Sequence, residues 1–307
     1  MKKHISLVIP VFNEEGSLPV LAAAIHHVFL NLPYSYNLLF IDDGSRDQSL
    51  AVIKKMSQED ERINYLSFSK NFGHQNALKA GLDHAKGDCV ISLDADMQHP
   101  PSLIPTLLQR WEEGYDVVYT VRNEGADISV FKKRSANVFY RTLNWLSEVD
   151  VEVGTPDFRL LSRPVLEVLK NLNEYDLFFR GLVKWVGFKQ VAVEYEQQER
   201  FAGKSKYTIK KMMSFALQGI TSFSIRPLYA AAYLGFFISF LSVLYVPYAL
   251  YSYYFGHIIS GWASVIVTIA FFGGLQLTIL GIIGIYLGKL FMQSKGRPLY
   301  IIKETNL

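Results

Sequence analysis

Residues 227–288 form a stretch of 62 positions without a single Asp, Glu, Lys or Arg. A bilayer core about 30 Å thick is crossed by about 20 apolar residues in helical form, so this stretch is long enough for two crossings. The expected spans are residues 228–255 and 262–287, joined by the short turn-rich segment 256–261. Cytoplasmic flanks hold the excess of Lys and Arg. Here Arg226 precedes the pair and Lys289, Lys295, Arg297 and Lys303 follow it, which places both ends in the cytoplasm.

Charge divides sharply along the rest of the chain. Residues 1–199 carry 21 basic and 27 acidic side chains, whereas 200–303 carry 10 basic and no acidic ones. Basic groups beside an anionic leaflet contribute about 1 kcal/mol each, which puts Arg200, Lys204, Lys206, Lys210 and Lys211 at headgroup level; an ordinary solvated face accounts for the same residues. Residues 208–225 repeat apolar positions at helical spacing behind those lysines, as in a helix lying on a bilayer surface or one packed on the globular part. Nucleic acid is not an expected partner. The lone Cys89 lies in an apolar run and reads as core. Pro10 breaks the first apolar run, so no cleavable leader is expected.

Before the uncharged stretch, short β-branched and aromatic runs alternate with longer segments of helical period. That is the pattern of a mostly parallel α/β sheet covered by helices on both faces. Strands are expected at residues 5–11, 37–41, 63–67, 89–93, 116–119 and 191–195, and helices at 15–30, 47–58, 75–84, 101–113 and 130–146. Ligands of such sheets bind beyond the carboxyl ends of the strands, where the polar clusters fall: Pro10-Val11-Phe12-Asn13-Glu14-Glu15, Asp42-Asp43-Gly44-Ser45-Arg46-Asp47 and Asp94-Ala95-Asp96-Met97-Gln98-His99. No glycine-rich dinucleotide or P-loop pattern follows any strand.

Two carboxylates one residue apart at a buried strand end can be aimed into one cleft. Hard oxygens of this kind suit Mg²⁺ or Mn²⁺ shared with substrate phosphates, while a helix N-cap before Pro100 is the plain structural alternative. Asp42 and Asp43 before Gly44-Ser45 fit a turn with a cap, or a polar ligand rich in N–H and hydroxyl groups. His74, His84 and His99 have no zinc spacing; His99 is either a partner to the aspartates or a structural imidazole.

Together with Asp157-Phe158-Arg159-Leu160 and the Arg200-x-x-Gly203-x-Ser205-Lys206-Tyr207 loop, these ordered motifs resemble the inverting GT-A glycosyltransferases of family 2, of the dolichol-phosphate mannose synthase type, over about residues 4–210. The two expected spans bring it nearest to the bacterial polyprenyl-phosphate branch that glucosylates bactoprenol. The resemblance implies a GT-A (Rossmann-like) domain at 1–207, a membrane-proximal amphipathic helix at 208–226, two transmembrane helices within 227–290 and a cytoplasmic tail at 291–307. It implies a hexosyltransferase that carries glucose from UDP-glucose to undecaprenyl phosphate at the cytoplasmic face of a bacterial inner membrane, with lipopolysaccharide O-antigen glucosylation as one pathway. UDP-N-acetylglucosamine, GDP-mannose and UDP-4-amino-arabinose are alternative donors.

Roles follow by position. Pro10, Phe12, Glu14, Asp42 and Asp43 line the nucleotide pocket, with Phe12 where the family usually has Tyr. Asp94, Ala95 and Asp96 meet the diphosphate through the metal, beside Gln98 and Arg122. Asp157 lies near the attacking group as base or orienting group, or simply pairs with Arg159. Arg200 and Lys206 hold the acceptor phosphate and the leaving diphosphate on a loop that can close as a lid. Glycines 273, 274, 281, 284 and 288 fit close helix packing or a homo-oligomer, and a flippase is a conceivable partner. A processive polysaccharide synthase is disfavoured by the missing Q-x-x-R-W pattern, and a non-catalytic scaffold by the intact acidic and basic set.

Overall fold

The computed structural model describes residues 2–122, 156–175, 177–195, 221, 224–255 and 261–307. The expected helix at 130–146, the residues Arg200, Gly203, Ser205 and Lys206, and most of the expected surface helix at 208–225 lie outside them.

The described elements run β1 (His4–Val11), α1 (Leu18–Phe29), β2 (Ser35–Asp42), α2 (Ser49–Glu59), β3 (Ile63–Phe68), α3 (His74–His84), β4 (Cys89–Ser92), α4 (Ile104–Glu112), β5 (Val117–Arg122), β6 (Arg159–Ser162), α5 (Arg163–Lys170), α6 (Phe179–Trp185), β7 (Gln190–Tyr195), α7 (Arg226–Tyr254), α8 (Trp262–Ser294) and β8 (Ile302–Thr305). They form one eight-stranded sheet in the order β7-β5-β6-β4-β1-β2-β3-β8. Strands covered on both faces read as continuous apolar runs, and β1 is buried at every residue after His4. Its odd-numbered side chains Ile5, Leu7 and Ile9 pack with α1, α2 and α4, while Val8 faces α3, α5 and α6 on the other side. The α3 helix comes so close that a Cβ on Gly81 would stand 2.2 Å from Val8 Cγ1.

All strands but β6 and β8 run in one direction, so their carboxyl ends share an edge. The reversed β6 was not expected: four residues without apolar alternation give too short a signal. It lies antiparallel between β4 and β5, with Arg159 opposite both Ser92 and Tyr119. Reversal has a functional consequence, because the residues just before β6, Asp157 and Phe158, arrive at the carboxyl edge of its neighbours.

The segment read as a cytoplasmic tail likewise contains a strand, β8, which covers the exposed edge of β3. Tyr300 stacks on Phe68 at 5.3 Å between ring centroids and donates to Asp83 at 3.0 Å. Asn306 accepts the Tyr65 N–H at 2.6 Å, and Lys54 pairs with Glu304. Antiparallel pairing makes the chain enter β8 at the carboxyl edge, opposite Phe68, and β7 also ends at that edge. Tyr195 and Ile302, which flank the part of the sequence containing α7 and α8, are therefore both on the side where Asp42, Asp94 and Asp157 lie.

At 1.5 Å per residue, α7 with 29 residues and α8 with 33 are about 43 and 50 Å long. Among the described residues one stretch, Val265–Ser294, is long and apolar enough to cross a bilayer, with a mean hydropathy of 2.2; Arg226–Leu241 of α7 is a shorter apolar stretch. Both helices expose large apolar side chains such as Phe236 and Leu277. At the C-terminal end of α8, Gln293 donates to Asn173 O at 2.8 Å and accepts the Tyr175 N–H at 2.6 Å, tying the helix to the loop between α5 and α6.

Candidate active site

Two loops at the carboxyl edge are stitched together by polar contacts. After β1 the chain turns through Asn13 at φ +57°, which is why α1 starts at Leu18 and not at the expected residue 15. The Asn13 N–H donates to Ser45 Oγ, Asn13 Oδ1 accepts from the Arg46 N–H, and the Glu14 N–H donates to Ser49 Oγ, at 3.0, 2.8 and 2.8 Å. Phe12, directly after β1, is 44% exposed, and Pro10 within the strand is buried.

Asp42 and Asp43 are both buried but engaged differently. Asp42 accepts from the Ser45 N–H and the Ser67 hydroxyl at 3.0 and 2.8 Å. Asp43 accepts the N–H groups of Phe72 and Gly73 at 2.6 and 3.0 Å, so its carboxylate clamps the loop that leads into α3. Burial pushes its pKa up against those two donors. Gly44, at φ +66°, lets the loop close: a Cβ there would sit 2.6 Å from Lys70 C and 2.7 Å from Asn71 N. A Gly44→Ala substitution is expected to cost about 1–3 kcal/mol for the left-handed backbone alone, seen as a lower unfolding midpoint of the purified chain. An unchanged midpoint would mean that the 70–73 loop is not held as described.

Beyond β4 the turn places Met97 at φ +62°, an uncommon conformation for a long side chain and one found at functional turns. The Gln98 N–H donates to Asp96 Oδ1 at 3.1 Å. His99 Nε2 lies 3.2 Å from Asp94 Oδ2, while Asp94 Oδ1 is buried with no hydrogen-bond partner. Burial works to raise the Asp94 pKa, but the hydrogen bond from His99 and the charge of His74 outweigh it and keep the carboxyl ionised.

Asp157 joins this group from 63 positions further along the sequence. Gln75 Nε2 and Arg159 donate to it at 3.2 Å each and Arg180 Nε at 3.4 Å, and His74 Nε2 lies 3.3 Å from its Oδ2. The same His74 nitrogen is 3.5 Å from Asp94 Oδ1, so one imidazole links the two carboxylates. Burial opposes the charge on Asp157, yet Arg180, the His74 hydrogen bond and Arg159 hold it well below the ordinary carboxylate range. His74 is moved the other way: against the effect of burial, Asp157 and Asp94 raise it to about 9.

The donors fit a divalent ion that is completed by substrate. Asp94 Oδ1 is a hard anionic oxygen that accepts no hydrogen bond within the described residues and has the His74 imidazole 3.5 Å away. Among the described residues no group of three or more His, Cys, Asp or Glu side chains could hold a metal by itself. Mg²⁺ and Mn²⁺ are commonly bound through one or two carboxylates with phosphates and water supplying the rest.

Of the residues expected from sequence, the structure places Asp94, Asp96 and Gln98 just after β4 and Asp157 just before the reversed β6, and Asp42, Asp43, Phe12 and Glu14 at the ends of β1 and β2. Arg122 is exposed at the end of β5, in register with Tyr195. His74, Gln75, Arg180 and Tyr195 are additional site residues. Nothing in their local sequence marks them, since each acquires its partner only when distant strands align.

Residues 6–170 match the family described as Glycosyl transferase family 2. The chain is 44% identical to an uncharacterized glycosyltransferase, YkcC, of Bacillus subtilis, over 99% of this chain and 95% of that one. It is 42% identical to the bactoprenol glucosyl transferase of Shigella phage SfV, over 98% of each. Its fold is similar to that of the mannosyl-3-phosphoglycerate synthase of Rubrobacter xylanophilus, with a TM-score of 0.51 and 16% identity over 70% of this chain and 71% of that one. A Pyrobaculum calidifontis mannosyltransferase, solved with GDP-Man and Mn2+, gives a TM-score of 0.51 at 14% identity over 72% and 64% of the two chains.

Proposed function

The chain belongs to glycosyl transferase family 2, and from that premise we propose that it is a membrane-anchored, metal-dependent, inverting glucosyltransferase moving glucose from UDP-glucose to undecaprenyl phosphate. Its relatives named bactoprenol glucosyl transferase, matched over nearly the whole chain, support that acceptor and sugar. The observation that carries the reading is the meeting of Asp94 and Asp157 through His74 at the sheet edge from which the chain leaves toward its apolar helices and to which it returns. A lipid phosphate confined to the membrane plane can reach only that edge.

In this mechanism an oxygen of the acceptor phosphate attacks the anomeric carbon from the face opposite the diphosphate. The new C–O bond forms as the bond to the β-phosphate oxygen breaks, UDP departs with the electron pair, and the sugar is left β-linked. A divalent ion held by Asp94 and Asp96 would neutralise charge gathering on the leaving diphosphate. Phe12 stacks on the base, and Asp42 with its loop lines the ribose side. Asp157 is held ionised by three cationic neighbours and orients the sugar or the acceptor; it is not needed as a base, because a phosphate monoester is already largely ionised near neutral pH. Arg200 and Lys206, which follow β7 in the sequence, would receive the acceptor phosphate and screen it from the diphosphate.

Two crossings by α7 and α8 fit this arrangement, since an even number returns β8 to the side of its sheet. The basic flanks put that side in the cytoplasm of a bacterial inner membrane. The glycines of α8 have open space around them and leave room for a second helix, from another copy or from a flippase.

The test is incubation of membranes containing the protein with undecaprenyl phosphate and each labelled donor in turn. Label from UDP-glucose is expected in the lipid fraction. Incorporation from another nucleotide sugar alone would replace the donor, and none from any would overturn the reading.

A further inference from the structure

We propose that His99 and Tyr195 act as a positioning relay that aims Asp94 Oδ1 at the divalent ion; the inference rests on the metal-dependent reading above. Both side chains are buried, His99 at 5% and Tyr195 at 6% exposure. The Tyr195 hydroxyl is 2.8 Å from His99 Nδ1, and His99 Nε2 is 3.2 Å from Asp94 Oδ2. An ionised carboxylate only accepts, so Nε2 carries a proton, and in the proposed tautomer Nδ1 accepts the tyrosine O–H. The order of donors runs Tyr195 to His99 to Asp94.

The relay is fixed at both ends. Tyr195 closes β7, which is paired with β5 along its whole length to Arg122. The imidazole is wedged between the rings of Phe158 and Tyr195, at 5.6 and 5.7 Å between centroids. With Oδ2 tied down, the carboxylate plane is set and Oδ1 is left buried without a hydrogen bond, its ion-pair neighbour His74 Nε2 standing 3.5 Å away. An imidazole that only filled the core would not need to spend its N–H on one oxygen of the metal-binding pair.

Binding of Mn²⁺ by the purified full chain in detergent with UDP, followed by the electron paramagnetic resonance of free Mn²⁺, reads this directly, alongside the unfolding midpoint of each variant. Loss of a partner behind a metal ligand typically weakens binding about 10–100-fold, which is the expectation for His99→Ala. His99→Gln, whose amide N–H can still donate to Oδ2, is expected to recover most of that loss. Tyr195→Phe frees the ring to change tautomer and is expected to weaken binding about 3–10-fold, within or just under the same range; it decides the matter if His99→Ala does not fold.

Mn²⁺ affinity within twofold of the parent in His99→Ala or in Tyr195→Phe, or a glutamine variant as weak as the alanine one, would overturn the relay. A parent protein that binds no Mn²⁺ with UDP would remove the relay and the metal reading together. Tight Mn²⁺ binding without transfer from UDP-glucose would remove only the donor and acceptor assignment.

Discussion

Replacing Asp96 by Asn is expected to lower glucosyl transfer about 10³-fold or more, and Asp94→Asn by a similar factor, equivalent to about 4 kcal/mol of barrier. Each change keeps side-chain volume and turn geometry, since an amide oxygen can still accept the Gln98 N–H now bonded to Asp96. What it removes is one negative charge from a pair in which Asp94 Oδ1 accepts no hydrogen bond. The unfolding midpoint of Asp96→Asn should therefore stay near that of the parent, whereas Asp94→Asn also gives up the charge paired with His99 and His74 and is expected to lower it modestly without unfolding the chain. Loss of activity together with loss of fold would make these groups structural, and retained activity would dismiss the metal site.

Asp157→Asn is expected to behave differently, with both stability and turnover falling. Asp157 is the shared counter-charge of Arg159, Arg180 and His74, and removing one partner of a buried ion pair costs about 3–5 kcal/mol. The reacting groups then lose their reference point, and misplacement by 1 Å can cost about 10²-fold in rate. The pH dependence separates orienting from base chemistry. A carboxyl lowered below its ordinary 3.8 contributes stability above that pH and loses it only as the pH falls through the lowered value, so it remains ionised across the working range. The acid limb of the rate should come instead from the acceptor phosphate, whose second ionisation lies near about 6. That limb should persist in the residual activity of Asp157→Asn; its disappearance would identify Asp157 as the base.

The parts of this architecture legible in the sequence are those written locally. The apolar runs of β1 to β5 mark themselves by length and composition, and from β1 to β5 the expected strands and helices match the observed ones to within a few residues. The Asp94-Ala95-Asp96 turn and the Asp42-Asp43 strand end are likewise contiguous signals. What was not legible depends on pairings between remote segments. His99 and Tyr195 meet across 96 positions, and Asn306 meets Tyr65 across 241. The strand β6 is too short to announce itself, yet its reversed direction is what delivers Asp157 to the carboxyl edge. The polar Ile302-Lys303-Glu304-Thr305 carries little strand signal, and it becomes one because β3 offers an open edge. Even Asp43, which reads as a ligand residue, spends its carboxylate on the loop before α3.

The central claim is tested most directly with purified protein stripped of divalent ions and supplied with labelled UDP-glucose and undecaprenyl phosphate. The account expects no glucolipid until Mn²⁺ or Mg²⁺ is restored, and then a β-linked undecaprenyl monophosphate sugar. Full transfer in excess chelator would contradict it.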